Sequence, residues 1–113
     1  MTIEQADVID GMGTDKVTGA LVLTISDHLG WDNPLDYHRD CLKRKLGAYI
    51  QFIESGQIRE LHPEPKSPTV RIFLLRRPSE EGQKMLAAAR AVLSGRGYPL
   101  SYGPLPGGYA EDN

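Results

Sequence analysis

The sequence predicts an α+β domain whose elements follow the order β-β-α-β-α, with a short final strand completing the order as β-β-α-β-α(-β). Short runs of β-branched and apolar residues alternate with two longer segments whose apolar residues recur at helical spacing. Glycine, proline and helix-capping residues separate these runs. We therefore expect a small, mostly antiparallel three- or four-stranded sheet with both helices on one face.

A β-hairpin is the first predicted unit. An extended segment begins at Val8 and Ile9, and the polar run 15–19, which ends in glycine, is typical of a turn. The run 20–26 supplies the second strand, because it is rich in β-branched and apolar residues. Alternate residues of a strand share a face, so one face of this strand carries Leu21, Leu23 and Ile25.

The first helix is predicted over 34–55. Asn33 is suited to cap its free N–H groups, and Pro34 suits the first helical position. Gly56 can adopt the left-handed conformation that ends many helices. Gly47 weakens the middle of this helix by about 1 kcal/mol relative to alanine. The apolar residues fall on one stripe, which comprises Leu35, Leu42, Leu46, Tyr49, Ile50 and Ile53.

A proline-rich connector at 62–68 leads to the second half of the chain. A strand is predicted over 69–75, followed by a second helix that Ser79 caps and that ends at Gly95 or Gly97. The run 98–102 adds a short edge strand. This helix carries its apolar stripe on Met85, Leu86, Ala89, Val92 and Leu93.

Length and composition predict one domain without an intrachain disulfide bond. The chain has 113 residues and one cysteine, Cys41, so an intrachain disulfide is excluded. We assign residues 1–97 to a single domain and residues 98–113 to a tail rich in glycine, proline and tyrosine. The N-terminal residues lack the basic start and long apolar run of a signal peptide, and no apolar stretch is long enough to span a bilayer. The sequence therefore predicts a cytoplasmic protein that does not enter a membrane.

The net charge of −2 conceals an uneven layout of charges. Acids outnumber bases in residues 1–40, and bases outnumber acids in residues 41–96. Such segments either neutralise each other side by side or form one acidic and one basic patch. The basic residues that stand out are Lys43, Arg44, Lys45, Arg71, Arg76 and Arg77. No aromatic residues interleave with them as in nucleic-acid modules, so we assign them to a solvated face and keep nucleic-acid binding as the second alternative.

No motif for a nucleotide, a metal or another cofactor is present in the sequence. Gly11 and Gly13 lack the third glycine of a dinucleotide site, and no phosphate-binding Gly-Lys-Ser or Gly-Lys-Thr occurs. We therefore predict no cofactor. The first alternative function is a small hydrolase or metal-dependent enzyme that uses Asp27, His28 and Asp32. Against it, adjacent residues rarely reach triad geometry, and their spacing matches no established metal site.

Our leading functional prediction is a non-enzymatic protein-binding module. Trp31, the only tryptophan, lies in a predicted loop beside acids, where it is either a core residue or an anchor for a partner. The candidate partner-binding residues are Asp27, His28, Trp31 and Asp32. One concrete form of such a module is a toxin-neutralising immunity protein, whose acidic residues would meet a basic site on the toxin and accelerate encounter.

We also predict self-association as a homodimer. Two helices cover one face of a small sheet, which leaves Val22, Phe73 and Leu75 on the opposite face as an apolar patch. A twofold dimer is the commonest way to bury such a patch. The alternative is that the C-terminal segment folds over this face with Tyr98, Leu100, Tyr102 and Leu105.

Three stretches of the sequence resemble a known family. The runs 7–19, 23–31 and 49–56, which read DVIDGMGTDKVTG, LTISDHLGW and YIQFIESG, resemble a family of short bacterial proteins of unknown function. The resemblance covers the first half of the chain well and the second half by layout. It implies a one-domain fold in an intracellular bacterial setting and supplies no activity.

Overall fold

A computed structural model describes residues 2–32, 35–57 and 68–110 of the chain. The α+β class and the order β-β-α-β-α-β are confirmed for these residues. The elements are β1 (Gly11–Thr14), β2 (Leu21–Asp27), α1 (Asp36–Glu54), β3 (Thr69–Leu74), α2 (Glu80–Gly95) and β4 (Leu100–Pro104).

The sheet is mixed, so the expectation of a mostly antiparallel sheet is wrong. Its spatial order within the described chain is β1-β2-β3-β4; β1 runs antiparallel to β2, whereas β2 and β3, and β3 and β4, are parallel. The reason is the position of the helices. Each helix connects two consecutive strands and returns the chain to the end of the sheet at which the previous strand began. The next strand therefore runs parallel to the previous one.

The core lies between the sheet and the two helices. Leu23 of β2 is opposite Val70 of β3, and Ile25 is opposite Ile72; all four side chains are buried. Both helices contribute to the same hydrophobic cluster, with Leu42, Leu46 and Tyr49 from α1 and Leu86 and Leu93 from α2. The residues between the inward positions are half-buried or exposed, so the helices cover one face, as expected.

The N-terminal hairpin begins later than predicted. β1 starts at Gly11, and the segment around Val8 and Ile9 forms no strand. The predicted turn is confirmed, because Asp15 accepts hydrogen bonds from the backbone N–H groups of Val17 and Thr18. Gly19 has φ of +73°, a conformation that favours glycine.

The helix ends agree with the sequence at three of the predicted positions. Ser79 caps α2 by accepting a hydrogen bond from the N–H of Gly82 at 3.1 Å. Gly56 and Gly97 follow α1 and α2 with φ of +87° and +89°. α1 begins at Asp36 with Leu35 at the N-cap position and no side-chain cap, while the predicted cap Asn33 and Pro34 lie outside the described residues. The connector also lies outside them, apart from a buried Pro68.

The C-terminal segment contributes the edge strand β4. Leu100 is opposite Val70, and Tyr102 is opposite Ile72, so both side chains share the face that carries the helices. The alternative in which they cover the opposite face is therefore wrong. The guanidinium of Arg90 in α2 lies 4.6 Å from the centre of the Tyr102 ring and packs α2 against β4.

Candidate functional site

Asp27 and His38 form a buried pair beneath the first turn of α1. Their side chains are 0% and 4% exposed, and Asp27 Oδ2 lies 2.6 Å from His38 Nε2. His38 Nδ1 lies 2.8 Å from the carbonyl oxygen of Gly30, and Asp27 Oδ1 accepts from the N–H of Leu29. Since a carbonyl oxygen only accepts, His38 Nδ1 donates to Gly30, and Nε2 is left to share a hydrogen bond with the Asp27 carboxyl. Both ring nitrogens therefore have buried partners, which fix the orientation of the imidazole.

Trp31 packs on this pair in the interior. The centroids of the Trp31 and His38 rings are 3.9 Å apart, and Trp31 Nε1 donates to the carbonyl oxygen of Arg76. On its other side Trp31 contacts Gly82 of α2, where a Cβ atom would overlap the indole ring. Trp31 is 6% exposed, in agreement with the interpretation of this residue as a core residue. It fixes the N-terminal ends of α1 and α2 relative to each other.

His28 and Asp32, by contrast, are exposed. His28 Nε2 lies 2.9 Å from Glu4 Oε1, and the hydroxyl of Tyr37 donates to the other oxygen of Glu4. The Tyr37 hydrogen bond, with a smaller contribution from His28, lowers the pKa of Glu4, and the same bond raises the pKa of Tyr37. The four candidate partner-binding residues thus separate into two interior and two surface residues. A partner-binding role for His28 and Asp32 stays a prediction.

The enzymatic alternative needs Asp27, His28 and Asp32 to meet, and the structure gives Asp27 and His28 different partners. Asp27 faces inward to His38, and His28 faces outward to Glu4. Within residues 2–32, 35–57 and 68–110, no three His, Cys, Asp or Glu side chains form a group that could hold a metal ion.

The basic residues of the nucleic-acid alternative are spread over both sides of the molecule. Lys43 and Arg44 lie exposed on α1. Arg71 lies on the opposite sheet face, where its Nε donates to Ser101 Oγ at 3.3 Å. Arg77 stacks over Tyr109, with its guanidinium carbon 4.6 Å from the ring centre. Nucleic-acid binding stays an untested alternative.

The predicted self-association residues have mostly polar or glycine neighbours in the sheet. Val22 and Phe73 are half-buried, and Leu75 is 37% exposed. Val22 is opposite Thr69 and Gly13, and Phe73 is opposite Ser26 and Gly103. Self-association through these residues stays a prediction.

Lys45 corrects the expectation of a solvated basic run. Its side chain is 0% exposed, and Nζ donates to the carbonyl oxygens of Gln5 and Val8 and to Asp10 Oδ1 at 2.6–2.7 Å. The other oxygen of Asp10 accepts from the N–H of Ser26. The signal that sequence reasoning missed is helical spacing, because residue 45 shares the inward face of α1 with Cys41, Leu42 and Tyr49.

A groove of about 490 Å³ lies between α1 and α2. The connections to parallel strands make the two helices run parallel to each other, so residues early in both lie at the same end. At that end the groove is lined by Arg39, Lys43, Glu81 and Lys84. The remaining lining residues are apolar: Leu42, Leu46, Gly47, Ile50, Met85, Ala88, Ala89, Val92 and Leu93.

The groove is open to solvent, and most of the residues that line it are apolar. Val92 is 58% exposed, whereas Leu42, Leu46 and Leu93 form a buried floor. A Cβ atom built on Gly47 would contact nothing within 4 Å beyond its chain neighbours and the backbone of its own helix, so the side of the groove is low at this point. Sequence reasoning did not find the groove, because it depends on the distance between two helices that are far apart in the chain.

Comparisons with known proteins give a family and no activity. Neither the curated proteins nor the solved structures contain a significant match to this chain. Among the described residues, no helix combines the length and the apolarity needed to cross a membrane. A family model matches residues 1–105, which include every strand and helix named above. The chain belongs to this family, a family of unknown function (DUF6572).

Proposed function

We propose that this protein is a protein-binding module and that the groove between α1 and α2 receives an amphipathic helical segment of its partner. The observation that carries the proposal is the exposed apolar surface along the groove, with Val92 at 58% exposure. Contiguous apolar surface that stays open to water is typical of interaction sites. Helices that dock in grooves present apolar residues at helical spacing to such a surface.

The dimensions of the groove suit a helix of about three turns. On α1 the lining residues extend from Arg39 to Ile50, which is roughly 17 Å at 1.5 Å per residue. On α2 they extend from Glu81 to Leu93. The small residues Gly47, Ala88 and Ala89 lie in the half of the groove nearer the C-terminal ends of the two helices and leave room for the backbone or large apolar side chains of an occupant.

The charges on the rim specify an acidic partner segment. The lining contains three basic residues, Arg39, Lys43 and Lys84, and one acidic residue, Glu81. Lys43 has no acid within ion-pair distance among the described residues, so its charge is available to a ligand. Opposite charges across an interface accelerate encounter and exclude basic competitors. Neutralisation of a toxin is one task that such a module performs without any catalytic group.

Peptide selection on the full chain tests the proposal. A displayed library of random peptides about 16 residues long should yield binders with apolar residues at i, i+3, i+4 and i+7 and an excess of acids. Affinity of a selected synthetic peptide is then measured by fluorescence anisotropy for three forms: the unchanged chain, Ala88→Trp and Ala91→Trp. Both alanines are exposed on α2, but Ala88 lines the groove and Ala91 does not.

Ala88→Trp should weaken binding by at least about tenfold, and Ala91→Trp by less than about twofold. Gly47→Leu is a second blocking variant: its added Cβ meets open space and leucine has the higher helix propensity, so we expect it to stay folded, and urea denaturation checks this. The proposal fails if no selected peptide binds, if Ala88→Trp and Gly47→Leu both leave binding unchanged, or if Ala91→Trp weakens binding as much as Ala88→Trp does.

A further inference from the structure

We infer that the partner helix lies antiparallel to α1 and α2, with carboxylates in its C-terminal turn contacting Arg39, Lys43 and Lys84. This inference rests on the proposed function, because it gives the chemistry and direction of the segment that occupies the same groove. It follows from a difference between the two ends of the groove, one of which is cationic and the other apolar.

The cationic end is where both helices begin. Arg39 and Lys43 are the fourth and eighth residues of α1, and Lys84 lies in the second turn of α2. Asp36 lies 3.5 Å from Arg39, and Glu81 lies 3.7 Å from Lys84. Both ion pairs are exposed and therefore weak, so Arg39 and Lys84 can still contact a ligand. Lys43 adds a charge without an intramolecular partner in the described chain.

The other end of the groove offers no unpaired charge in the part of the chain that the structure describes. Its lining residues are Ile50, Val92 and Leu93. Just beyond them, Arg96 Nη1 donates to Glu54 Oε1 at 3.2 Å, and the Tyr98 hydroxyl donates to Glu54 Oε2 at 3.4 Å. The charges at the C-terminal ends of α1 and α2 therefore satisfy each other. An occupant meets cations at one end and apolar side chains at the other.

Helix dipoles decide which end of the occupant lies at the cations. The N-terminal ends of α1 and α2 carry partial positive charge in addition to the three side chains. The C-terminal end of an occupant helix carries partial negative charge on its free carbonyl groups. An antiparallel occupant brings these opposite charges together, whereas a parallel one brings like charges together. Acids in the last turn of the occupant add to the same attraction.

Two synthetic peptides test this inference on the full chain. Both are about 14 residues long, or roughly 21 Å as a helix, with leucines at helical spacing and the same composition. The C-acidic peptide has its glutamates in the last turn, and the N-acidic peptide has them in the first turn. Acetylated and amidated ends remove the terminal charges. Affinity is measured by anisotropy for the unchanged chain, Lys43→Glu and Arg44→Glu.

The C-acidic peptide should bind about five- to tenfold more tightly than the N-acidic peptide at low salt. Lys43→Glu should reduce this preference at least about threefold, whereas Arg44→Glu, an equal change on an exposed residue outside the lining, should leave it unchanged. Equal affinities, or tighter binding of the N-acidic peptide, overturn the direction and leave the groove as a binding site. Absence of binding by both peptides, together with failure of the library selection, counts against the proposed function itself.

Discussion

α1 and α2 lie on the same face of the sheet and line the same groove, yet they are attached to the core in different ways. α1 buries two basic side chains, Lys45 and His38, and each meets a buried carboxylate, Asp10 or Asp27. The buried residues of α2 in the described chain are Gly82, Leu86 and Leu93, of which only the leucines have large side chains.

The difference shows how each helix is positioned. Hydrogen bonds to buried charged groups are directional, and an unpaired buried partner is costly. The contacts of Lys45 therefore fix α1 against Gln5, Val8 and Asp10 of the N-terminal segment. Apolar contacts are non-directional, so α2 depends on area and shape. Substitutions that conserve volume should consequently be tolerated at the buried leucines of α2 and not at Lys45 of α1.

The largest expected effect is the loss of stability in Lys45→Met of α1, and Leu86→Met of α2 is the matched comparison. Lys45→Met retains an unbranched apolar chain but leaves the Asp10 carboxylate buried without its cation. We expect it to lower the free energy of unfolding by about 3–5 kcal/mol. Leu86→Met conserves volume and should cost less than about 1.5 kcal/mol. Urea denaturation of both variants measures the two values. A loss for Lys45→Met no larger than that for Leu86→Met would contradict the difference between the helices.

A smaller effect concerns Tyr49, whose hydroxyl donates to the carbonyl oxygen of Thr24 and accepts from the N–H of Asp10. Tyr49→Phe should cost about 1–3 kcal/mol at neutral pH, because both backbone groups lose their partner. Burial, reinforced by the charge of Asp10, raises the pKa of the Tyr49 phenol.

The raised pKa predicts a loss of stability in alkali that Tyr49→Phe removes. A folded-state pKa above the unfolded value favours the folded state fully below about pH 10, and this contribution disappears as the pH rises from there towards the folded value. The free energy of unfolding should therefore fall more steeply above about pH 10 in the unchanged chain than in Tyr49→Phe. Leu86→Met, which alters no titratable group, serves as the control with an unchanged slope. Parallel curves for the unchanged chain and Tyr49→Phe would contradict the prediction.

The smallest effect is a gain in stability from Gly47→Ala. Gly47 is exposed within α1, and a methyl group there meets open space, so the substitution should stabilise by about 0.5–1 kcal/mol. The same substitution at Gly82 of α2 should destabilise by about 1–3 kcal/mol, because the new Cβ overlaps the ring of Trp31. Thermal unfolding of the two variants measures both signs. A loss of stability in Gly47→Ala would show that the groove side of α1 is more crowded than the structure indicates.

Local patterns in the sequence determined the class, the order of the elements and several of their ends. Alternation placed Leu21, Leu23 and Ile25 on the buried face of β2, and side-chain chemistry placed the cap at Ser79. Gly56 and Gly97 were identifiable because few other residues adopt positive φ. Each of these features depends on residues that are neighbours in the chain, so the pattern carries the information directly.

Tertiary structure alone decided which polar residues are buried and that a groove lies between α1 and α2. Lys45 and Arg44 are adjacent basic residues, but one is buried and the other exposed, because only residue 45 meets Asp10 and two carbonyl groups of a segment 35–40 residues away. In the same way, Asp27 pairs with His38 in the interior, while its neighbour His28 pairs with Glu4 at the surface. The groove depends on the spacing of α1 and α2, which Trp31 and the shared sheet impose. Burial of a charge is costly unless its partner is in place, and the fold, not the local sequence, brings that partner.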